Sequence, residues 1–375
     1  MRLLHIGAGN LYGGIETVLA TLARNRSAAP DLHQHFAVCF EGRLATELVG
    51  TGASVEILGP VRASRPWTWA AARRKLGRIL SREAFDVVAC HGSWVHATFG
   101  STISKTAARL VLWLHGPVTG RHWLERWAAW APPHLAIANS WFTARESRGI
   151  PSGTPIHVLY SPVESPASGR PDDRAQTRAS LAAGNSTTVI LSAARMEAWK
   201  GQHVLITALG KLPSSLDWVA WVAGGAQRRK EEQYAKELAD IARGAGIDDR
   251  IHFLGQRSDV PRLMLAADVY CQPNTEPEPF GVSFVEALYS GLPVVTTAMG
   301  GALEVIDPTC GLLAPPDPDS VASALTRLAT DRSLRLRLAQ AAPARARALC
   351  DPYLRIQALA KVLKDVTPQR DPRAI

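Results

Sequence analysis

The sequence lacks long apolar runs and closely spaced cysteines, and each absence excludes a class of protein. No stretch approaches the ~18 consecutive apolar residues of a membrane-spanning helix, so no transmembrane span is expected. The five cysteines are scattered, odd in number and nowhere spaced as CxxC, so we expect buried free thiols rather than disulfides or a zinc site. The first seven residues are too short and too interrupted for a signal peptide, and they predict a buried strand.

Acidic residues are in the minority, and the positive excess is concentrated in the first half. The formal net charge is +9, with 17 Lys and Arg against 10 Asp and Glu in residues 1–165 and 25 against 23 in the remainder. An anionic partner of the first half fits this distribution, either a lipid surface or a lipid-linked phosphate. Charge that only maintains solubility is the alternative. No recognisable module organises the basic residues for nucleic acid, so that partner is not expected.

Short apolar runs alternate with helical patterns along a chain that is long enough for two domains. Strands that are apolar throughout indicate parallel sheets covered on both faces, so an α/β fold with two doubly wound halves is predicted. A polar, proline-containing stretch at 161–182 interrupts the alternation, and we place the interdomain linker near its start. The predicted strands are 2–7, 35–40, 54–58, 85–90, 109–115, 135–139, 188–194, 218–224, 251–255, 269–272 and 293–297; predicted helices include 14–24, 68–82, 121–131 and those that close the chain from 317 onward.

Glycines follow the first predicted strand and lead into a helix, with Gly13 and Gly14 at the turn. Such a turn lets a phosphate approach the backbone N–H groups at a helix N-terminus. Tyr12 stands where a dinucleotide fingerprint needs glycine, and the lysine of a P-loop is missing. A glycine turn that serves packing alone is the alternative.

Two cations follow the strand predicted at 188–194. Arg195 and Lys200 stand between that strand and the next helix, where a diphosphate would find both charge and hydrogen-bond donors.

Two glutamates, Glu278 and Glu286, lie eight positions apart in and after a proline-rich loop. A helix is predicted from about Gly281, which places Glu286 within about two turns of its start. The separation suits two contacts with one extended ligand better than a paired acid and base. The alternative is that Glu278 only complements the helix dipole and Glu286 faces solvent.

The surrounding sequence closely resembles the C-terminal domain of glycosyltransferase family 4. The resemblance is carried by Ala267-Asp268-Val269, Pro273, Glu278-Pro279-Phe280-Gly281, Glu286-Ala287, Gly291-Leu292-Pro293-Val294-Val295, Gly300-Gly301, Glu304-Val305-Ile306 and Gly311-Leu312-Leu313. Further landmarks match in order, namely Gly13-Gly14-Ile15-Glu16, His115-Gly116 and Arg195 with Lys200-Gly201. One departure is the segment 159–164, which lacks an Asn-Gly pair that many relatives have.

The resemblance implies a GT-B fold, with two Rossmann-like domains facing across a cleft and a C-terminal helix that crosses back to the first. The expected domains are an acceptor domain at 1–163, a donor domain at 164–350, and a returning helix with a polar tail at 351–375.

Roles for individual residues are implied in the same way. The expected catalytic group is His115, Glu278, Arg195 and Lys200. The donor is expected to be bound by Gly13 and Gly14 beside its phosphates, Arg195 and Lys200 on its diphosphate, Glu286 on its ribose, and Glu278 with the backbone of Phe280 and Gly281 on its sugar.

The implied reaction is retaining transfer of a hexose from a UDP- or GDP-sugar to a saccharide acceptor. Neither a metal nor another cofactor is expected, because Asp172-Asp173 and Asp248-Asp249 resemble solvated turns rather than a metal motif, and Arg195 and Lys200 would stabilise the leaving diphosphate. A nucleotide-sugar 2-epimerase of related fold and a catalytically silent nucleotide-sugar-binding protein are the alternatives.

Tryptophan is concentrated in the first half, where eight of the 11 precede residue 142. Trp123, Trp127 and Trp130 have helical spacing, and a second stripe of Trp69, Ala72, Leu76 and Leu80 is surrounded by Arg73, Arg74, Lys75 and Arg78. Aromatic and basic faces suit peripheral contact with an anionic membrane and a polyprenyl-diphosphate-linked acceptor. The expected location is the cytoplasm, at the inner face of the cell membrane; ordinary core faces are the alternative for either stripe.

Overall fold

The computed structural model describes residues 1–62, 64–166, 171–226 and 228–367. The chain forms two compact units, one of Met1–Glu164 with Cys350–Ile375 and one of Ser165–Leu349. We call them the first unit and the second unit. Most of the predicted polar tail, residues 368–375, lies outside the described residues.

The first unit is built on a seven-stranded parallel sheet in the order β3-β2-β1-β4-β5-β6-β7. Its central strands are buried along nearly their whole length, as apolar strands with helices on both faces must be. The strands are β1 (Arg2–Gly7), β2 (His33–Val38), β3 (Ser54–Ile57), β4 (Val87–His91), β5 (Arg109–Leu114), β6 (Leu135–Ala138) and β7 (Ile156–Val158). The helices are α1 (Gly14–Arg24), α2 (Arg43–Gly50), α3 (Pro66–Arg82), α4 (Ser93–Ile103), α5 (Trp123–Ala128) and α6 (Trp141–Glu146).

The second unit is built on a six-stranded parallel sheet in the order β10-β9-β8-β11-β12-β13. Its strands are β8 (Thr188–Ala193), β9 (Trp218–Ala223), β10 (Ile251–Gly255), β11 (Val269–Gln272), β12 (Val294–Thr297) and β13 (Gly311–Ala314). Its helices are α7 (Pro171–Ser180), α8 (Gln202–Leu209), α9 (Arg229–Gly244), α10 (Val260–Ala266), α11 (Val282–Tyr289), α12 (Ala302–Val305), α13 (Pro318–Thr330) and α14 (Arg332–Cys350).

The last helix, α15 (Pro352–Val366), belongs to the first unit. Asp351 caps it by accepting a hydrogen bond from the backbone N–H of Leu354 at 3.0 Å. It packs against α1 and the short 3₁₀ helix Arg26–Ala28. In the part of the chain that the structure describes, no helix is long and apolar enough to span a membrane. The five cysteines are free and buried, which confirms their predicted state.

The predicted strands are confirmed with ends displaced by about two residues or fewer. Strands β7 and β13 were not predicted, and neither was helix α7, which lies within the polar stretch at 161–182. The helix expected over 121–131 ends at Ala128. Pro132 disfavours helical backbone at Ala131, so the helix cannot continue through 131, and Trp130 lies in the turn that follows the helix.

The apolar stripe of α3 is mostly core. Trp69, Ala72 and Leu76 are buried in the cluster that fills one face of the first sheet, and Leu80 is partly buried against it. Trp127 of α5 stacks on Trp69 at 5.0 Å between ring centroids, which joins the two helices.

Candidate functional site

Two loops of the second unit meet at the carboxyl ends of the adjacent strands β8 and β11. The backbone N–H of Thr275 donates to the carbonyl of Trp199 at 2.9 Å, which links the loop after β11 to the loop after β8. Gly201 has a φ of +74°, and a Cβ there would lie 1.8 Å from the carbonyl oxygen of Pro273. Only glycine therefore permits this close approach of the two loops.

An ion pair connects the same two loops. Lys200 Nζ lies 2.7 Å from Glu278 Oε2, and the two side chains are only 15% and 10% exposed. Asn274 Nδ2 donates to the same oxygen at 2.8 Å. Lys200 Nζ also lies 3.9 Å from the centre of the Trp199 ring, a cation–π contact that fixes its position. The other oxygen, Glu278 Oε1, has no hydrogen-bond partner in the described part of the chain.

The backbone of Glu278 is held by a glycine pair from the segment after β12. Gly301 N–H donates to the Glu278 carbonyl at 2.7 Å. Gly300 has a φ of +65°, and a Cβ there would lie 2.4 Å from the same carbonyl oxygen. The loop after β12 is thus the third loop at this edge of the sheet, and it fixes the position of the Glu278 backbone.

Buried amides and hydroxyls support this ion pair from beneath. Tyr270 Oη donates to the Ala193 carbonyl and contacts Gln272 Oε1, both at 3.0 Å. Gln272 Nε2 donates to Asn274 Oδ1 at 2.8 Å, and Asn274 in turn donates to Glu278. A continuous hydrogen-bonded chain therefore runs from strand β11 to the Glu278 carboxylate, and it orients that carboxylate.

Arg195 follows β8 directly and is paired within its own loop. Its guanidinium lies 2.9 Å from Glu197 Oε2 and is about one-third exposed. Trp199 Nε1 donates to the same glutamate at 3.1 Å, and Gln202 Nε2 donates to the carbonyl of Arg195 at 2.8 Å. These contacts order the loop after β8, which carries both Arg195 and Lys200.

Glu286 lies on α11, the helix that begins after Gly281. Phe280 and Phe284 beside it are buried. The Glu286 carboxylate has no hydrogen-bond or ion-pair partner among the residues that the structure describes. Desolvation raises its pKa from 4.5 to about 7. An ionisable group that is desolvated and yet unpaired is typical of a binding site awaiting its ligand.

The remaining predicted residues lie in the first unit. Gly13 N–H already donates to Glu16 Oε2 at 3.0 Å, so the chain's own carboxylate occupies this donor at the start of α1. Gly14 begins α1 and is exposed. His115 follows β5, with Nε2 2.9 Å from His91 Nδ1, and burial lowers its pKa to about 3.

The structure thus brings Arg195, Lys200, Glu278, Phe280, Gly281 and Glu286 to one edge of the second sheet, and it places Gly13, Gly14 and His115 in the first unit. Sequence reasoning missed Asn274, Gln272 and Glu197, which hold the cations and Glu278 in place. The signal for Asn274 was its position in the same proline-rich loop as Glu278. Within the described residues, no group of three His, Cys, Asp or Glu side chains is placed to hold a metal ion.

Two family models match the chain, one in each half. Residues 12–165 match Glycosyltransferase Family 4, and residues 173–345 match Glycosyl transferases group 1. The chain belongs to glycosyltransferase family 4.

Among its curated relatives, the chain is 34% identical over 202 residues to D-inositol 3-phosphate glycosyltransferase of Xylanimonas cellulosilytica, covering 53% of this chain and 46% of that protein. It is 34% identical over 146 residues to the lipopolysaccharide glucosyltransferase WaaG of Escherichia coli, covering 38% and 37%. The matched segments therefore span less than half of the length of these two relatives.

A solved structure covers nearly the whole chain. The crystal structure of Anabaena HepE with UDP and glucose has a TM-score of 0.86 and 25% identity, covering 97% of this chain and 100% of that one. HepE with UDP-glucose gives a TM-score of 0.85 and 26% identity over 97% and 100%. Together with the two parallel sheets, these matches confirm the predicted GT-B fold class.

The substitution Glu286→Gln is expected to stabilise the ligand-free protein above pH 7 and to have little effect near pH 4. The Glu286 pKa of about 7 in the folded protein lies above its ordinary 4.5. The Glu286 carboxyl ionises less readily in the folded protein than in the unfolded chain. The free energy of unfolding therefore falls as pH rises from 4.5 to about 7, and this loss persists at higher pH. Glutamine has the same shape and no such loss. Thermal unfolding of both proteins across this pH range measures the difference.

The exposed Glu276 of the neighbouring loop supplies the control, Glu276→Gln, which removes a carboxyl that water already solvates. A difference between wild type and Glu286→Gln that stays the same at every pH would contradict the desolvation of Glu286.

Proposed function

We propose that this chain is a retaining glycosyltransferase that moves a hexose from a UDP-sugar to a saccharide acceptor. The observation that carries the proposal is the set of groups at the edge of the second sheet: a Lys200–Glu278 pair with one carboxylate oxygen unused, and an unpaired Glu286 on the adjoining helix. HepE, whose structures contain UDP, glucose and UDP-glucose, supports UDP over GDP as the nucleotide of the donor.

In this proposal Lys200 and Arg195 bind the donor diphosphate. Each is held by one carboxylate in the ligand-free chain, Lys200 by Glu278 and Arg195 by Glu197. A diphosphate adds a more highly charged acceptor, and both cations have hydrogen-bond donors to spare. Their charge stabilises the leaving diphosphate as its bond to the sugar breaks, which is why we propose that the reaction needs no metal ion.

The two glutamates hold the two ends of the donor. Glu278 Oε1 accepts a hydrogen bond from a sugar hydroxyl, while Oε2 stays on Lys200 and Asn274. Glu286 accepts from the ribose hydroxyls and gains the partners that its desolvated carboxylate lacks. Alcohol hydroxyls donate well to carboxylates, and such charge-assisted bonds are about twice as strong as neutral ones.

Retention of configuration follows from a displacement on one face of the sugar. The bond from the anomeric carbon to the diphosphate oxygen breaks, and the bond to the acceptor oxygen forms on the same side. The acceptor hydroxyl proton passes to the departing phosphate oxygen. Lys200 and Arg195 compensate the negative charge on that phosphate, and Glu278 positions the sugar without attacking it.

A UDP-sugar is expected to stabilise the protein against heat, whereas GDP- and ADP-sugars have little effect. The free energy of unfolding rises with the ratio of the UDP-sugar concentration to its Kd. Lys200→Ala is expected to weaken UDP-sugar binding by about ten- to a hundredfold, since it removes hydrogen bonds to a charged group. Calorimetric titration of the folded variants measures this.

Lys211→Ala is the matched control, because Lys211 also pairs with a carboxylate of the second unit, Asp319, at 2.6 Å, but on an exposed surface. Its Kd should equal that of the wild type. If no nucleotide stabilises the chain, the proposed donor site is wrong.

Product analysis separates transfer of the sugar to an acceptor from isomerisation of the donor. If the reaction needs no metal ion, EDTA should leave turnover unchanged.

We further propose that the acceptor is lipid-linked, for example to polyprenyl diphosphate, and that the first unit contacts the inner face of the cell membrane. Three tryptophans around α3 and α5 are exposed: Trp67 by 65%, Trp123 by 49% and Trp130 by 86%. The stacking of Trp123 on Trp127, and of Trp127 on Trp69, makes these helices neighbours. Arg65, Arg74, Arg78 and Arg121 are exposed on the same elements and loops. Tryptophan beside arginine suits an anionic lipid surface.

Flotation with vesicles that contain anionic lipid is expected to recover the protein at low salt and to lose most of it at high salt. The double substitution Arg74→Gln, Arg78→Gln should reduce recovery. The matched control, Lys230→Gln with Lys236→Gln, removes the same charge from exposed positions of α9 in the second unit. Equal recovery of the two double variants, or no binding of the wild type at low salt, would remove the membrane proposal.

A further inference from the structure

Three histidines on adjacent strands of the first sheet form a continuous hydrogen-bonded row. His5 of β1 and His91 of β4 are joined between Nδ1 and Nε2 at 2.9 Å. His91 Nδ1 and Nε2 of His115, just after β5, are also 2.9 Å apart. The inner end of the row is Gln34 of β2, whose Oε1 lies 3.1 Å from His5 Nε2. We call these four residues the histidine row.

The histidine row is enclosed except at its outer end. His5, His91 and Gln34 are 0%, 3% and 6% exposed, whereas His115 is only partly buried. Aromatic rings restrict rotation of the imidazoles: His5 stacks on Phe36 at 5.1 Å, and His91 stacks on Trp113 at 4.9 Å. The row therefore runs from the middle of the sheet to the carboxyl end of β5, where His115 lies.

All three imidazoles are neutral near pH 7. Burial lowers the pKa of His5 to about 4 and that of His115 to about 3, and it lowers the pKa of His91 well below its ordinary value. A neutral imidazole carries one N–H donor and one bare acceptor nitrogen. Each imidazole in the row that donates through one nitrogen must therefore accept through the other.

The direction of the row is set by its inner end. In this structure Gln34 turns its Oε1 toward His5 Nε2 and leaves its own Nε2 without a partner among the described residues. An amide oxygen can only accept, so His5 Nε2 carries the proton and His5 Nδ1 is bare. His91 Nε2 must then donate to His5, which leaves His91 Nδ1 to accept from His115 Nε2. The remaining nitrogen, His115 Nδ1, is bare and has no hydrogen-bond partner in the described part of the chain.

We propose that Gln34, His5 and His91 are positioning residues that hold His115 as its Nε2-protonated tautomer and present Nδ1 as an acceptor to a hydroxyl of the bound sugar. The choice of a sugar ligand rests on the proposed glycosyltransferase function. A bare nitrogen repels the oxygens of a phosphate, which only accept hydrogen bonds, whereas a hydroxyl donates to it. His115 therefore recognises the sugar rather than the diphosphate.

The tautomer is measured directly by two-bond ¹H–¹⁵N correlation NMR of the ligand-free protein labelled in histidine. The wild type is expected to show His115 with Nε2 protonated and Nδ1 bare. Gln34→Met removes the acceptor at the inner end, so the His115 resonances should shift toward an average of the two tautomers. His96→Gln is the matched control, because His96 is an equally buried histidine of the first unit that bonds to the Ala131 carbonyl outside the row; it should leave His115 unchanged.

Kinetics test the consequence for the sugar. His91→Phe keeps an aromatic ring but removes the acceptor for His115, and kcat/KM should fall about three- to tenfold, the effect of one neutral hydrogen bond. His91→Asn supplies an amide oxygen near the former Nδ1 and should restore part of the loss. UDP affinity should not change in either variant, because UDP carries no sugar hydroxyl of the transferred hexose.

Protonated Nδ1 on wild-type His115 overturns the proposal, as does an unchanged tautomer in Gln34→Met. The NMR measurement needs neither nucleotide nor turnover. A correct tautomer in a protein that binds no UDP-sugar would therefore refute the proposed function and leave the histidine row intact.

Discussion

The contact between Lys200 and Glu278 is the interaction on which the site of the second unit depends. It joins the loops that follow β8 and β11, and both side chains are largely withdrawn from water. Breaking such a buried pair commonly costs about 3–5 kcal/mol, because the remaining charge is left without a partner. Gly201 is what permits the contact, since any side chain there would collide with the carbonyl of Pro273. One backbone constraint thus places both the cation that we propose for a diphosphate and the carboxylate that we propose for a sugar.

Burial is used in two different ways in the two units. In the second unit it leaves Glu286 desolvated and unpaired, so that the carboxylate gains stability from a ligand that donates hydrogen bonds. In the first unit it keeps His5, His91 and His115 neutral. The direction of each hydrogen bond in the row then depends on the one before it, so Gln34 sets the tautomer of His115 at the strand end. Both arrangements leave hydrogen-bonding capacity unused at a candidate binding position, where proteins depart from the local rules of stability.

The sheets, most of their strands and the edge that carries the candidate residues were predictable from the sequence, because apolar strands such as Arg2–Gly7 in a parallel sheet have no polar face to obscure the pattern. Strand β7 escaped prediction because Ile156 and His157 on this sheet-edge strand are exposed. Helix α7 was missed because its composition is polar. The histidine row could not be foreseen, since it requires the strand order β2-β1-β4-β5, which joins residues up to 86 positions apart in the sequence.

A crystal structure of the chain with UDP is the most direct test, because it shows where the nucleotide binds. The ribose hydroxyls are predicted to lie within about 3 Å of the Glu286 carboxylate, with a diphosphate oxygen at a similar distance from Lys200 Nζ. The Lys200–Glu278 contact should persist beside them. Clear density for UDP on another surface, with Lys200 and Glu286 both untouched, would contradict the proposed donor site.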